Sequence, residues 1–185
     1  MSEQQLPRLR LYSTAVVALA ELAHLAWEHF NGGVHSHHIL NRSDLPAISN
    51  GWGALLLPAL TWFLSGRIQR RVALHPGGTE AASQLPAGVI AGFIGSLLFG
   101  VLLAGSFTSG NETITSYLFL GMFLLALLLP VYRAECVLGF VLGMTFTFGA
   151  VLPTIVGSII AAVSAVIHLY VRPALVRLWT SFGAG

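Results

Sequence analysis

Acidic and imidazole side chains recur in an otherwise apolar stretch near the start of the chain, spaced as one face of a helix requires. Glu21, His24 and Glu28 follow one another at intervals of three and four residues. At 100° per residue, these side chains and Asn31 fall within an arc of about 80°. We call this arc the polar stripe. Carboxylates and imidazoles transfer protons and bind metal ions, so the stripe is the first place to expect chemistry.

More histidines follow the stripe. Five of the seven histidines in the chain lie in the stretch from His24 to His38. Imidazole and carboxylate together suit Zn, Cu or Fe, so the sequence predicts a transition-metal site here. Its candidate ligands are His24, Glu28, His35, His37, His38 and Asp44. Glu21, the acid farthest from the segment ends, is the candidate catalytic residue, as a proton donor or acceptor.

Plainer interpretations of the same residues stay open. His35, His37 and His38 could be solvated loop residues, and Glu21 with His24 could be a hydrogen-bonded pair that only fixes helix packing. The spacing matches neither a His-Glu-x-x-His motif nor a zinc finger. Glu21-x-x-His24 is one half of a di-iron carboxylate motif, and the chain has no second half. The concentration of histidines, rather than their spacing, therefore supports the metal prediction.

The composition identifies the environment in which these residues act. Of 185 residues, 55% are hydrophobic and 9% are charged, with a mean hydropathy of +0.78. Soluble domains carry roughly 25% charged residues, so a disordered chain or a nucleic-acid binder is excluded and a soluble domain is disfavoured. The chain has no lysine, which excludes Schiff-base chemistry. Its single cysteine, Cys136, excludes an internal disulfide and a thiolate-bound iron–sulfur cluster.

Six apolar segments each approach the length needed to cross a membrane as a helix. They span residues 11–30, 49–64, 87–107, 114–132, 136–152 and 154–171. The last two form one long apolar run, which we divide at Pro153 because proline lacks a backbone donor and favours a turn. The sequence thus predicts a single-domain, all-α integral membrane protein. It would be a compact bundle of six transmembrane helices with a histidine-rich outer loop at 31–48.

The arginines predict the orientation of this bundle. On the six-pass map, eight of the nine arginines fall on one side and only Arg42 falls on the other, whereas a five-pass map divides them. The positive-inside rule makes the crowded side cytoplasmic, so both termini are predicted to be cytoplasmic. The use of arginine without lysine favours a bacterial source. The expected location is then the plasma (inner) membrane, with the histidine-rich loop on the periplasmic side.

Small residues form a stripe of their own along the third segment, four residues apart. The stripe consists of Gly88, Gly92, Ser96, Gly100, Ala104 and Thr108. Gly139 and Gly143 repeat the spacing in the fifth segment. Such faces let helix backbones approach closely in a membrane, so they predict packing within the bundle. Besides membrane lipids, the same faces could bind a second copy of the chain or a larger membrane complex.

Three functions fit these observations. The first is an integral membrane metalloenzyme that hydrolyses or oxidises a lipid or small apolar substrate at the outer membrane face. The second is a transporter or channel in which the Glu21, His24 and Glu28 stripe conducts protons or a metal ion. The third is a non-catalytic subunit of a larger membrane complex. We favour the first slightly, because a cluster confined to one face suits a site better than a path.

Overall fold

A computed structural model of the chain describes residues 5–38, 44, 46–74 and 80–183, leaving aside the side chains of residues 5–6, 37–38, 80–86 and 182–183. This part is almost entirely helical. Its main helices are α1 (Gln5–Phe30), α2 (Gly53–Ala73), α3 (Glu80–Thr108), α4 (Glu112–Leu128), α5 (Ala134–Phe148) and α6 (Val151–Val166). A π-helical turn, Ile167–Val171, connects α6 directly to α7 (Arg172–Gly183).

Within the described residues, three stretches of helix are long and apolar enough to cross a membrane. They are Pro7–Phe30, Ala87–Thr108 and Val151–Ser181, which contain 24, 22 and 31 residues. The helices α4 and α5 are also apolar but shorter, at 17 and 15 residues. A 20-residue helix spans about 30 Å, the thickness of the hydrocarbon layer. The three long stretches indicate that the protein associates with a membrane.

The boundary between α5 and α6 differs from the predicted one. Gly149 ends α5 with a φ of +67°, a left-handed conformation that costs glycine little because it has no Cβ. Pro153 lies in the first turn of α6, where backbone N–H groups have no intrahelical acceptor and a missing donor is tolerated. The apolar run does divide into two helices, but the predicted turn at Pro153 is wrong.

The segment before α2 also differs from its predicted form. Residues 49–52 were expected to begin a helix, yet Ala47–Ser49 is a short strand, β2. It pairs antiparallel with β1 (Ser36–His38), with Ser36 opposite Ser49. A single 3₁₀ turn, Asn50–Trp52, then leads into α2. The predicted histidine-rich loop is therefore organised, where described, as a small hairpin between α1 and α2.

Helices α3 and α5 pack closely through the predicted small residues. A Cβ on Gly139 would collide with the Phe93 carbonyl oxygen, and a Cβ on Gly143 would collide with the Leu97 carbonyl oxygen. From the other side, a Cβ on Gly100 would lie 2.8 Å from a carbonyl oxygen of α5. These glycines let the two backbones come together, so the predicted packing role is confirmed for Gly100, Gly139 and Gly143. Gly88, the first residue of the stripe, is exposed and has no atom within 4 Å of where a Cβ would be.

Helix α1 lies antiparallel to α2, and α5 packs against both of them. At one end, the Arg10 Nε donates to the Trp62 carbonyl oxygen at 2.8 Å, and its guanidinium lies 3.8 Å from the centre of that indole ring. At the opposite end, Glu21 of α1 lies against Gly53, the first residue of α2. Between these ends lies a buried apolar cluster formed by Leu57, Val141 and Ala150. This arrangement places the polar stripe of α1 against the rest of the bundle.

Candidate functional site

The polar stripe forms one continuous side-chain cluster with the hairpin that follows it. Its members, which we call the α1 cluster, are Glu21, His24, Glu28, His35 and Asn50. Glu21 and Glu28 are 5% and 3% exposed, and the His24 side chain is 12% exposed. The part of the stripe from Glu21 to Glu28 therefore faces inward, as its helical spacing predicts, whereas Asn31 at its end is exposed.

Glu28 attaches the hairpin to α1. Its Oε1 accepts a hydrogen bond from Asn50 Nδ2 at 2.7 Å, and its Oε2 accepts one from the His35 backbone N–H at 3.2 Å. The Asn50 backbone N–H in turn donates to the His35 carbonyl oxygen at 2.9 Å. Since Glu28 and Asn50 are both buried, these bonds satisfy groups that would otherwise be costly to remove from water.

Glu21 occupies the point where two helices begin. Its carboxylate lies where a Cβ of Gly53 would be, so only glycine leaves room for it at the start of α2. That same Cβ position is 3.6 Å from the Cβ of Ala150, the residue that precedes α6. The first turn of a helix carries unpaired N–H groups and a partial positive charge, which favour a nearby carboxylate.

His24 lies between the two buried carboxylates, with one ring nitrogen toward each. Nδ1 is 3.7 Å from Glu21 Oε2, and Nε2 is 3.6 Å from Glu28 Oε1. Both separations are a few tenths of an ångström longer than a hydrogen bond. The ring also packs against Phe146, with 4.9 Å between ring centroids. The imidazole is thus held in place by α5 while it faces an acid on either side.

His35 connects the cluster to the surface. Its Nδ1 lies 3.3 Å from Glu28 Oε1, and its side chain is 58% exposed. The four titratable groups therefore follow one another in a line from buried Glu21 through His24 and Glu28 to exposed His35. A line of alternating carboxyl and imidazole groups can transfer protons between its ends, because each imidazole can accept a proton at one nitrogen and release one from the other.

The structure brings together only part of the predicted metal site. His24, Glu28 and His35 belong to the α1 cluster, whereas Asp44 is exposed in the hairpin. His37 and His38 lie in β1, and their side chains are outside the description. In the part of the chain that the structure describes, no group of three or more His, Cys, Asp and Glu side chains is arranged to hold a metal ion.

Two polar contacts could not be predicted from the local spacing of residues. Asn50 lies 22 residues from Glu28, and only its position directly before an apolar segment hints at a role. Glu135 is 1% exposed and forms an ion pair with Arg71 at 2.6 Å, across 64 residues of sequence. From the sequence, Glu135 looks like an ordinary residue at a helix boundary, because no neighbouring residue indicates a partner on α2.

Comparisons with known proteins do not identify a relative, so a function must be argued from this geometry. The chain matches no protein-family model, no curated protein and no solved structure.

Proposed function

We propose that the protein is a membrane proton transporter in which Glu21 binds and releases the transported proton. The observation that carries this proposal is the line of groups from Glu21 through His24 and Glu28 to the exposed His35 side chain. Ionisable residues inside membrane helices are costly, so a buried acid connected to the surface by protonatable groups favours a role in proton transfer.

The contacts of His24 support a relay better than a static packing pair. One acid would suffice to satisfy the imidazole, yet a second buried acid faces its other nitrogen. Each separation exceeds a hydrogen bond by a few tenths of an ångström, and contacts of this kind often shorten only during function. A small rotation of the ring would therefore connect Glu21 and Glu28 in turn.

A carrier fits the surroundings of Glu21 better than an open channel. On the side away from His24, the apolar cluster of Leu57, Val141 and Ala150 follows along α2, α5 and the start of α6. Water or a proton could pass this cluster only if the helices moved. Glu21 also lies at the beginnings of α2 and α6, and helix ends at a buried site are a recurring feature of transporters.

The proposed orientation follows from the arginines. Arg10 lies at the end of the α1 and α2 pair opposite Glu21, and the Arg71 pair brings the start of α5 to that same end. We infer that this end is cytoplasmic and that the hairpin and His35 face the periplasm of a bacterial inner membrane. Six passes, with α4 and α5 as the short members, would account for both termini on the arginine-rich side.

Proton flux into proteoliposomes tests this function. Vesicles containing an enclosed pH indicator, with valinomycin and potassium to compensate charge, would be exposed to external acid. We expect faster internal acidification than in empty vesicles, and its loss in Glu21→Gln. Glu112→Gln changes an exposed acid at the start of α4 and should leave the flux intact. Acidification equal to that of empty vesicles would contradict the proposal.

A metal-dependent membrane enzyme is the second candidate, and one observation favours it. Glu28 Oε1 lies 3.6 Å from His24 Nε2 and 3.3 Å from His35 Nδ1. Neighbouring ligands of a tetrahedral zinc ion are separated by roughly 3.4 Å, given bonds of about 2.0–2.2 Å. Zn, Cu or Fe would then require further ligands from His37, His38 or Asp44, with Glu21 as the proton donor or acceptor.

Metal content distinguishes the two candidates. Protein purified without a histidine tag would be analysed by mass spectrometry, beside a variant with His35, His37 and His38 replaced by alanine. The enzyme hypothesis expects about one or two equivalents of a single transition metal, and their loss in the variant. Substoichiometric metal in both proteins, even after addition of Zn, Cu and Fe, would leave proton transfer as the function to pursue.

A further inference from the structure

A second buried site lies on the other side of α5, away from the α1 cluster. It is a cavity of about 380 Å³ enclosed by α3, α4, α5 and α6. This volume is within the range of roughly 300–1,000 Å³ that is typical of small-molecule sites. Most of its wall is apolar, including Met122, Leu125, Phe140 and Ile160. The cavity therefore suits an apolar chain along most of its surface.

One end of the cavity is polar. Glu135 lines it, and the Arg71 guanidinium binds only one of the two carboxylate oxygens, Oε1. The other oxygen, Oε2, is buried and accepts no hydrogen bond within the described part of the chain. A buried carboxylate oxygen without a donor is costly, so this oxygen favours a ligand that brings a hydrogen-bond donor. Arg133 lines the same end and is exposed.

The cavity is accessible from the lipid-facing side of the bundle. Gly88 and Gly95 of α3 line it, are exposed, and have no atom within 4 Å of where a Cβ would be. Ala91, between them, is also exposed. Large apolar side chains that face outward flank this opening, among them Ile94 on α3 and Leu129 after α4. A molecule already dissolved in the bilayer could therefore enter between α3 and α4.

We propose that this cavity binds a phospholipid whose head group carries a primary ammonium, such as phosphatidylethanolamine. The ammonium would donate a hydrogen bond to Glu135 Oε2, and the phosphate would lie near the Arg133 guanidinium. One acyl chain would fill the apolar part of the cavity. An adjacent carboxylate and guanidinium complement a head group that carries both charges, whereas an anionic head group would bring no cation to the Glu135 carboxylate.

The choice of lipid tests this proposal without any change to the protein. The purified protein would be equilibrated with equal amounts of phosphatidylethanolamine and phosphatidylcholine of the same acyl chains, and retained lipid measured by native mass spectrometry. The two lipids differ in the N–H groups of the head, which phosphatidylcholine lacks. A charged hydrogen bond to a buried acceptor predicts a preference of about tenfold for phosphatidylethanolamine. Phosphatidylglycerol, which carries no cation to pair with Glu135, should be retained less well than phosphatidylethanolamine.

A matched pair of glycine substitutions locates the binding. Gly95→Leu places a side chain in the cavity and should abolish the preference. Gly105→Leu, on the same helix but outside the cavity, also begins in open space and should preserve it. If Gly95→Leu does not fold, Gly88→Leu provides the same comparison, because Gly88 also lines the cavity and begins in open space. Equal retention of the two lipids by the unchanged protein, or an undiminished preference in a folded cavity variant, would overturn the proposal.

Discussion

Two buried acids, at opposite ends of the bundle, differ in the kind of partner each has. Glu135 is paired with the guanidinium of Arg71, a group that keeps its proton at any physiological pH. Glu21 faces the imidazole of His24, whose two ring nitrogens can accept a proton on one side and donate one on the other. Both acids also lie over a glycine of a neighbouring helix, Gly92 for Glu135 and Gly53 for Glu21.

Burial alone therefore does not assign a role to an acid, because the partner decides whether its charge is fixed. A permanent cation makes Glu135 a fixed charge, and the ion pair then serves to hold α2 against α5. In the proposed function, the imidazole partner lets Glu21 exchange its proton through a line of groups that reaches the surface. The predictions below test whether the two sites behave as a structural pair and a proton-transfer site.

The largest effect should come from breaking the ion pair. In Glu135→Gln, Arg71 loses its carboxylate partner and the interior of the bundle loses one member of a buried pair. We expect a loss of about 3–5 kcal/mol in the free energy of unfolding. Thermal and denaturant unfolding in detergent would measure it. The double variant Arg71→Met/Glu135→Met should recover much of this loss, and a double variant as unstable as the single one would contradict the fixed-charge interpretation.

A smaller loss is expected where Glu28 attaches the hairpin. Asn50→Ala removes the donor at 2.7 Å and leaves Glu28 Oε1 buried with one partner fewer, at a cost of about 1–3 kcal/mol. Hydrogen exchange should become faster in Ser36–His38 and Ala47–Ser49. Asn31→Ala is the control, because its side chain makes only an exposed bond to the Trp27 carbonyl oxygen. Unchanged exchange in Asn50→Ala would show that the hairpin does not depend on Glu28.

The two glycines should respond differently to alanine. Gly53→Ala places a methyl group where the Glu21 carboxylate lies, so this flexible side chain must move away from its position beside His24. Proton flux should fall strongly while stability falls by only about 1 kcal/mol. In Gly92→Ala, the new Cβ lies 3.1 Å from Glu135 Cγ, and flux should be unaffected. Equal flux in the two variants would remove the functional distinction between the acids.

The smallest effect on stability should come from Glu21→Gln, which keeps the shape of the side chain. Because glutamine can still face His24 and needs no countercharge, we expect a change in the free energy of unfolding of about 1 kcal/mol or less. Proton flux should nevertheless be lost. A loss of stability as large as that of Glu135→Gln would mean that Glu21, too, is a structural charge.

Helical periodicity was sufficient to predict the inner face of α1. Glu21 and Glu28 are buried and His29, on a different side of the helix, is exposed, as a spacing of 3.6 residues per turn requires. The small-residue stripe was likewise predictable, because a run of residues four apart is a property of one helix. Such features depend only on local geometry, which the sequence specifies directly.

Features that depend on pairing between distant segments were not predictable. Nothing near Glu135 indicates Arg71, and nothing near Glu28 indicates Asn50, because each pair is made by the way whole helices pack. The boundary at Gly149 was missed for another reason. Proline is tolerated in the first turn of a helix, so Pro153 marked the beginning of α6 rather than its separation from α5. The roles of His37, His38 and Asp44 as ligands stay predictions.

Infrared difference spectroscopy on the protein in lipid membranes tests the central claim most directly, since it detects a protonated carboxyl group by its C=O stretch. We predict a carboxylic acid band that changes with external pH, is absent in Glu21→Gln and persists in Glu112→Gln. His24→Phe should keep the band but slow its response by about tenfold or more, because the relay is interrupted. A pH-dependent band that survives in Glu21→Gln, or no such band in the unchanged protein, would contradict proton exchange at Glu21.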